Sequence, residues 1–155
     1  MADREPPLDD VVADLVAAMA PAMVVVTTIG TAGETERETS GCLVGFHSQC
    51  GIEPLRYAVW LSRANHTFRA GRDAEHFAVH LLGRDDRDLA RLFGTETGDE
   101  VDKLARADWT PGPGGVPLLD GLPNRIVGRR VALIDTDADH VGVVLEPVDA
   151  SHPGL

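Results

Sequence analysis

The sequence predicts a mainly β protein: a closed or partly closed antiparallel barrel of six strands with three short helices. Two observations carry this reading. Short runs rich in β-branched residues follow one another along the chain instead of alternating strictly with helices, which disfavours a doubly wound parallel sheet. The dinucleotide fingerprint G-x-G-x-x-G and the P-loop G-x-x-x-x-G-K-[ST] are both missing, and "GPGG" at 112–115 is a loop that opens no helix, which disfavours the nucleotide folds built on them.

The elements follow in order. Leu8, Val11, Val12, Leu15, Val16 and Met19 recur at helical spacing behind Asp9 and Asp10, which suit the helix dipole, and Pro21 stops that helix. "AMVVVTTIG" reads as a first strand ending in a Gly30/Gly33 turn, and "ETSGCLVGFHS" as one strand returning from it. Pro54 bounds the next connection. "RYAVWLS" is a third strand, apolar through its middle and so buried on both faces. "NHTFRAGR" is a short helix, and "EHFAVHLL" a fourth strand with Phe77, Val79 and Leu81 alternating against His76, Ala78, His80 and Leu82. Asp85 or Asp86 caps a further helix with Leu89, Leu92 and Phe93 on one face. Residues 94–121 form a long Gly/Pro-rich excursion of the kind that serves function or covers something. Two last strands, "NRIVGRRVALID" and "HVGVVLEPV", are joined by the acidic turn "TDAD".

The chain has 155 residues, enough for one domain with a real core, and 43% apolar and 25% charged residues mark ordinary globular material. Net charge is -11 with a single lysine, Lys103, so arginine carries nearly all basic charge. Such an acidic body argues against broad nucleic-acid binding, while leaving room for a local basic pocket. The start "MADREPPLDD" carries no signal peptide, and no apolar run approaches the ~20 residues that span a bilayer, so no membrane association and a cytoplasmic location are expected. In that setting the N-x-T pattern at Asn65-His66-Thr67 is no glycan acceptor, and Cys42 and Cys50, with no C-x-x-C, read as reduced, partly buried thiols.

Few residue patterns carry chemistry. His76 and His80 would suggest metal ligands on a helix, but on a strand they lie about 13 Å apart, too far for one ion. They read as surface or barrel-lining histidines, and no metal site is expected. G-x-S-x-G is absent. "GCLVGFHS" offers Gly41 and Gly45, where a flat or phosphorylated ligand can approach the backbone. "SRANHT" delivers Ser62, Arg63, Asn65, His66 and Thr67 to a helix start, which reads either as an anion site or as a capped helix with solvated polar residues. His140 opens the last strand after Asp139, where a plain turn residue is the alternative.

In their order and spacing, "AMVVVTT", "GCLVGFHSQCGIEP", "YAVWLSRANHT", "FAVHLLGRDDRDLARLFG", "DKLARADW…GVPLLDG" and "DADHVGVVLEPVDA" resemble the flavin reductase-like family of FMN-binding split barrels, from about Ala22 to Ala150. The resemblance implies a six-stranded Greek-key split barrel over 22–150, with an N-terminal arm and helix at 1–21 and a tail at 151–155. It implies a homodimer binding FMN, with FAD as an alternative, at or near the dimer interface. NAD(P)H is then the cosubstrate, and a separate monooxygenase a candidate partner. Carried over by position, Leu43, Val44, Gly45, Phe46, His47 and Ser48 lie along the isoalloxazine and ribityl chain. Ser62, Arg63, Asn65, His66 and Thr67 hold the phosphate, and His140 sits near the nicotinamide as the catalytic residue. The family's hydroxyl residues are replaced around Val44, Gly45 and His47, its Asp-Pro-Pro turn by Ile52-Glu53-Pro54, and its strand Asn by His80. These departures leave open a flavin-binding protein with little reductase turnover, or a split barrel using a deazaflavin.

Overall fold

The structure, a computed structural model, describes residues 6–19, 22–30, 37–153 and 155. Pro21 and Gly33, expected to stop a helix and form a turn, lie outside the described residues. Nine strands are present among these: β1 (Val24–Gly30), β2 (Glu38–Val44), β3 (His47–Ile52), β4 (Leu55–Ser62), β5 (His76–Leu81), β6 (Trp109–Pro111), β7 (Pro117–Leu119), β8 (Arg125–Asp135) and β9 (His140–Ser151). Three α-helices accompany them: α1 (Leu8–Ala18), α2 (His66–Ala70) and α3 (Arg87–Thr95).

Seven strands form one antiparallel sheet in the order β2-β1-β5-β8-β9-β4-β3. Its two outermost strands, β2 and β3, are consecutive in sequence and separated only by Gly45 and Phe46. So short a link ties the two edges of the sheet together and makes it curl, and the Trp60 amide, donating to the Phe46 carbonyl (2.9 Å), carries the β3–β4 pairing on into the link. The mainly β barrel expected from sequence is thus present. The single strand expected over 38–48 is in fact β2 and β3, so the sheet holds seven strands where six were expected. The split falls where the chain leaves one sheet edge for the other.

Alternation along β1 explains the layering. Val24 and Val26 point into the barrel, with Cys42, Val44, Val59, Leu61, Phe77, Val79, Val143 and Leu145. Val25 points outward onto Phe93, Leu104, Leu119 and Leu122. β1 is therefore buried on both faces, as is most of β5. β4, expected to be so, buries Ala58, Val59 and Leu61 but leaves Trp60 half-exposed. The stripe of α3 seats Phe93 against Gly41, where a Cβ would lie 2.8 Å from the phenyl ring. Gly41 thus admits a core side chain.

The excursion after α3 is a cover with structure of its own. Leu104, Val116, Leu118 and Leu119 are buried, and β6 pairs with β7. Two polar side chains tie it down. Lys103, almost fully buried, donates from Nζ to the carbonyls of Phe93 (2.9 Å) and Gly41 (3.4 Å), and its burial lowers its pKa. His80 is fully buried on the outer face of β5: Nδ1 donates to the Val25 carbonyl (3.0 Å) and Nε2 accepts from the Leu119 amide (3.1 Å). Only a neutral imidazole serves both partners, because one ring nitrogen must donate and the other accept. Of the two cysteines, Cys42 is buried with its thiol pushed up to about 11 by desolvation, and Cys50 is exposed; both are free.

Burial drives the His80 pKa from 6.5 down to about 4. The unfolded chain binds a proton in that window and the folded chain does not, so stability falls as pH drops from 6.5 towards 4. The loss attributable to this residue reaches about 3 kcal/mol. Urea unfolding at successive pH values should show that slope, and His80→Gln should flatten it while lowering stability at pH 7.

Candidate functional site

The barrel seam opens into a cleft of about 330 Å³. One wall is the end of β2 and the link, with Leu43, Val44, Gly45 and Phe46; the other is the end of β4, with Trp60 and Ser62, joined by Met23, Asn65 and His140. Each side chain is placed by register. Trp60 pairs with Gly142 in β9, and a Cβ on residue 142 would lie 2.8 Å from the indole, so the ring rests on bare backbone. Ser62 pairs with His140, which brings the imidazole to the cleft from β9. Gly45 leaves room for the thioether of Met23, whose sulfur would stand 3.1 Å from a Cβ there.

His140 is held on two sides. Its Nδ1 donates to Asp139 Oδ1 (2.9 Å), which holds the Asp139 carboxyl below its usual range, and its ring packs against Phe46 with centroids 4.8 Å apart. The other ring nitrogen, Nε2, remains for a ligand. The cleft thus joins two aromatic rings and apolar walls to a hydroxyl, an amide and an imidazole. That combination suits a flat heteroaromatic ring with a polar edge and tail.

Of the residues expected to meet flavin, Leu43, Val44, Gly45, Phe46, Ser62, Asn65 and His140 line this one cleft. The others do not, for separate reasons. His47 follows Phe46 on an alternating strand and faces the opposite way. Its Nε2 donates to the Ala22 carbonyl (2.5 Å) and its Nδ1 pairs with the Tyr57 hydroxyl (2.6 Å), beside a second cavity at another mouth of the barrel. Ser48 is exposed and donates to the Gln49 carbonyl (2.8 Å). Arg63 turns to Asp135 and to the Ala138 carbonyl (3.0 Å). His66 is clasped between Glu38 (2.5 Å) and Asp99 (2.8 Å). Thr67 is buried, its hydroxyl paired with Ser40 (2.8 Å).

The "SRANHT" segment therefore shows the cap of its two readings. Asn65 is the N-cap of α2, its Oδ1 accepting from the Thr67 amide (3.0 Å), and Ser62 Oγ accepts from the Ala64 amide (3.3 Å). The lining residues missed from sequence are Met23 and Trp60, with the buried Cys42 and Leu61. A tryptophan amid a strand, with a glycine inside a later strand, was the available signal for Trp60. Met23 had none.

Comparison with known proteins bears on the family and the fold. The model of the flavin reductase like domain matches residues 16–154. An FMN reductase (NADH), SmoA, of Agrobacterium fabrum is 30% identical over 112 residues, covering 72% of this chain and 62% of that protein. The reductase component of a flavin-dependent trigonelline monooxygenase of Acinetobacter baylyi is 21% identical over 131 residues, covering 83% of this chain and 41% of that one. This chain thus spans about three fifths or less of the length of these curated relatives. Among solved structures, the NADH:FAD oxidoreductase SgcE6 of Streptomyces globisporus superposes with a TM-score of 0.78 at 21% identity, covering 99% of this chain and 89% of that one, a likeness of fold. With a family model matched over residues 16–154, nearly the whole barrel, this chain belongs to the flavin reductase-like domain family.

Proposed function

We propose that this protein is an NAD(P)H-dependent flavin reductase whose flavin, FMN or FAD, binds in the seam cleft. The observation that supports this most is the convergence there of Phe46, Trp60 and His140 with the polar groups of Ser62 and Asn65. When bound, the flavin supplies the hydride-accepting chemistry. Leu43, Val44, Gly45, Phe46 and Trp60 offer it flat apolar walls that exclude water, and Ser62 and Asn65 offer donors to its polar tail. His140, fixed by Asp139 and Phe46, presents Nε2 to orient the hydride donor.

No arginine or lysine lines the cleft among the described residues. A flavin phosphate would meet neutral donors there, which favours a flavin that comes and goes. The acidic body leaves nucleic acid an improbable partner. No described helix is long and apolar enough to cross a membrane. A cytoplasmic location and a homodimer are part of the same proposal. The exposed Val131, Leu133 and Ile134 of β8, and the wholly exposed apolar stripe of α1, are surfaces a second copy can cover. The trigonelline monooxygenase relative supports a role as the reductase of a two-component oxygenase.

An anaerobic titration tests the activity: NADH or NADPH should bleach added FMN catalytically. Persistent flavin colour with no nicotinamide oxidation would instead identify a flavin carrier. His140→Ala should lower turnover tenfold or more, roughly the lower end for an orienting group, and leave flavin affinity within about twofold. Riboflavin should bind within about tenfold of FMN in a fluorescence titration, because the charge-assisted contact worth about 1.5–3 kcal/mol is missing. A hundredfold preference for FMN would require a cation at the phosphate.

A further inference from the structure

Arg63 stands next to the cleft in sequence but faces away from it. Its side chain lies at a separate cavity of about 230 Å³, with Leu133, Asp135 and Val141. All its contacts go to one feature, the turn joining β8 to β9. The Arg63 backbone amide donates to the Asp139 carbonyl (2.8 Å), Nε donates to the Ala138 carbonyl (3.0 Å), and the guanidinium pairs with Asp135.

That turn needs an outside anchor. Asp137 adopts a left-handed conformation (φ 61), held by its amide donating to Asp135 Oδ1 (2.9 Å), the same oxygen that receives the Arg63 guanidinium. Three carboxylates, Asp135, Asp137 and Asp139, crowd five residues. Among the described residues Arg63 is the one arginine or lysine paired to them. The residue that follows is His140, whose Nδ1 partner Asp139 belongs to the turn itself. A turn free to flex would carry Asp139 with it and release the imidazole from the orientation that β9 and Phe46 give it.

We infer that Arg63 is a positioning residue for His140: by stapling the Asp135–Asp139 turn to the end of β4, its guanidinium sets the orientation in which the imidazole meets the cleft. This rests on the reductase reading for its consequence in turnover, but not for its structural content. The planar fork suits the task, because one donor reaches a carbonyl while another meets the carboxylate.

The test compares Arg63→Gln, Arg63→Lys, Asp135→Asn, His140→Ala and the Arg63→Gln/His140→Ala double variant. In the flavin-free protein, imidazole NMR should show the His140 resonances shifted and broadened in Arg63→Gln and Asp135→Asn, with Arg63→Lys intermediate. In kinetics, Arg63→Gln should lower kcat roughly ten- to a hundredfold, the scale of a misplaced group, with KM and Kd for FMN within about twofold. The double variant should be no slower than His140→Ala. An unchanged His140 spectrum in both staple variants overturns the inference, whether or not the protein reduces flavin. Weakened FMN affinity with an unmoved His140 would return Arg63 to the phosphate, and multiplicative losses in the double variant would give it a separate role. Asp135→Asn removes the same pair from the other side, so a failure of Arg63→Gln to fold leaves the question decidable.

Discussion

The two residues between β2 and β3 govern this molecule. Gly45 and Phe46 span the step from one edge of the sheet to the other, so the sheet has no flat alternative. Beside that link, where the β3–β4 pairing runs on through the Trp60 amide to the Phe46 carbonyl, a wedge opens. The cleft is that wedge. Its walls are the last residues of β2, the link itself and the facing end of β4, and β9 reaches it only because it pairs with β4 along Tyr57–Ser62. Barrel closure and cleft are one event.

The outer layer solves a different problem. β1 has apolar side chains on both faces, and the outward set needs a cover that the barrel cannot supply. α3 and the excursion provide it, and their own backbone polar groups are then satisfied by buried donors and acceptors. Thr27 donates to the Pro117 carbonyl (2.5 Å), His80 bridges Val25 and Leu119, and the chain's single lysine closes the carbonyls of Phe93 and Gly41. His80 and Lys103 are therefore committed to architecture. A histidine and a lysine that would attract attention as reactive groups lie on the side of the sheet away from the barrel interior.

The distribution of basic charge bears on how the site works. Arg63, Arg69 and His66, the basic groups of the segment that follows Ser62, are each paired with a carboxylate: Asp135 for Arg63, Asp99 for Arg69, Glu38 and Asp99 for His66. In an acidic chain, cations are drawn to internal partners unless a site holds them apart. What remains in the cleft is a mostly apolar surface with neutral donors and one oriented imidazole.

Much of the architecture was legible in the chain. β-branched runs located the strands, the stripe of Leu89, Leu92 and Phe93 located α3, and the length of the excursion marked it as a segment that serves function or covers something. Those signals are local: propensity and periodicity act within a few residues. The family resemblance also grouped Leu43, Val44, Gly45 and Phe46 with Ser62, Asn65 and His140, and these residues line one cleft. Tertiary structure alone decided the rest. "ETSGCLVGFHS" has the propensity of one strand, and only the meeting of two sheet edges breaks it at Gly45, after which alternation sends Phe46 to the cleft and His47 to another mouth. Arg63 sits beside the cap of α2 in sequence, but the carboxylate that captures it is 72 residues away. Long-range pairing sets these orientations, and no local window of sequence contains both partners.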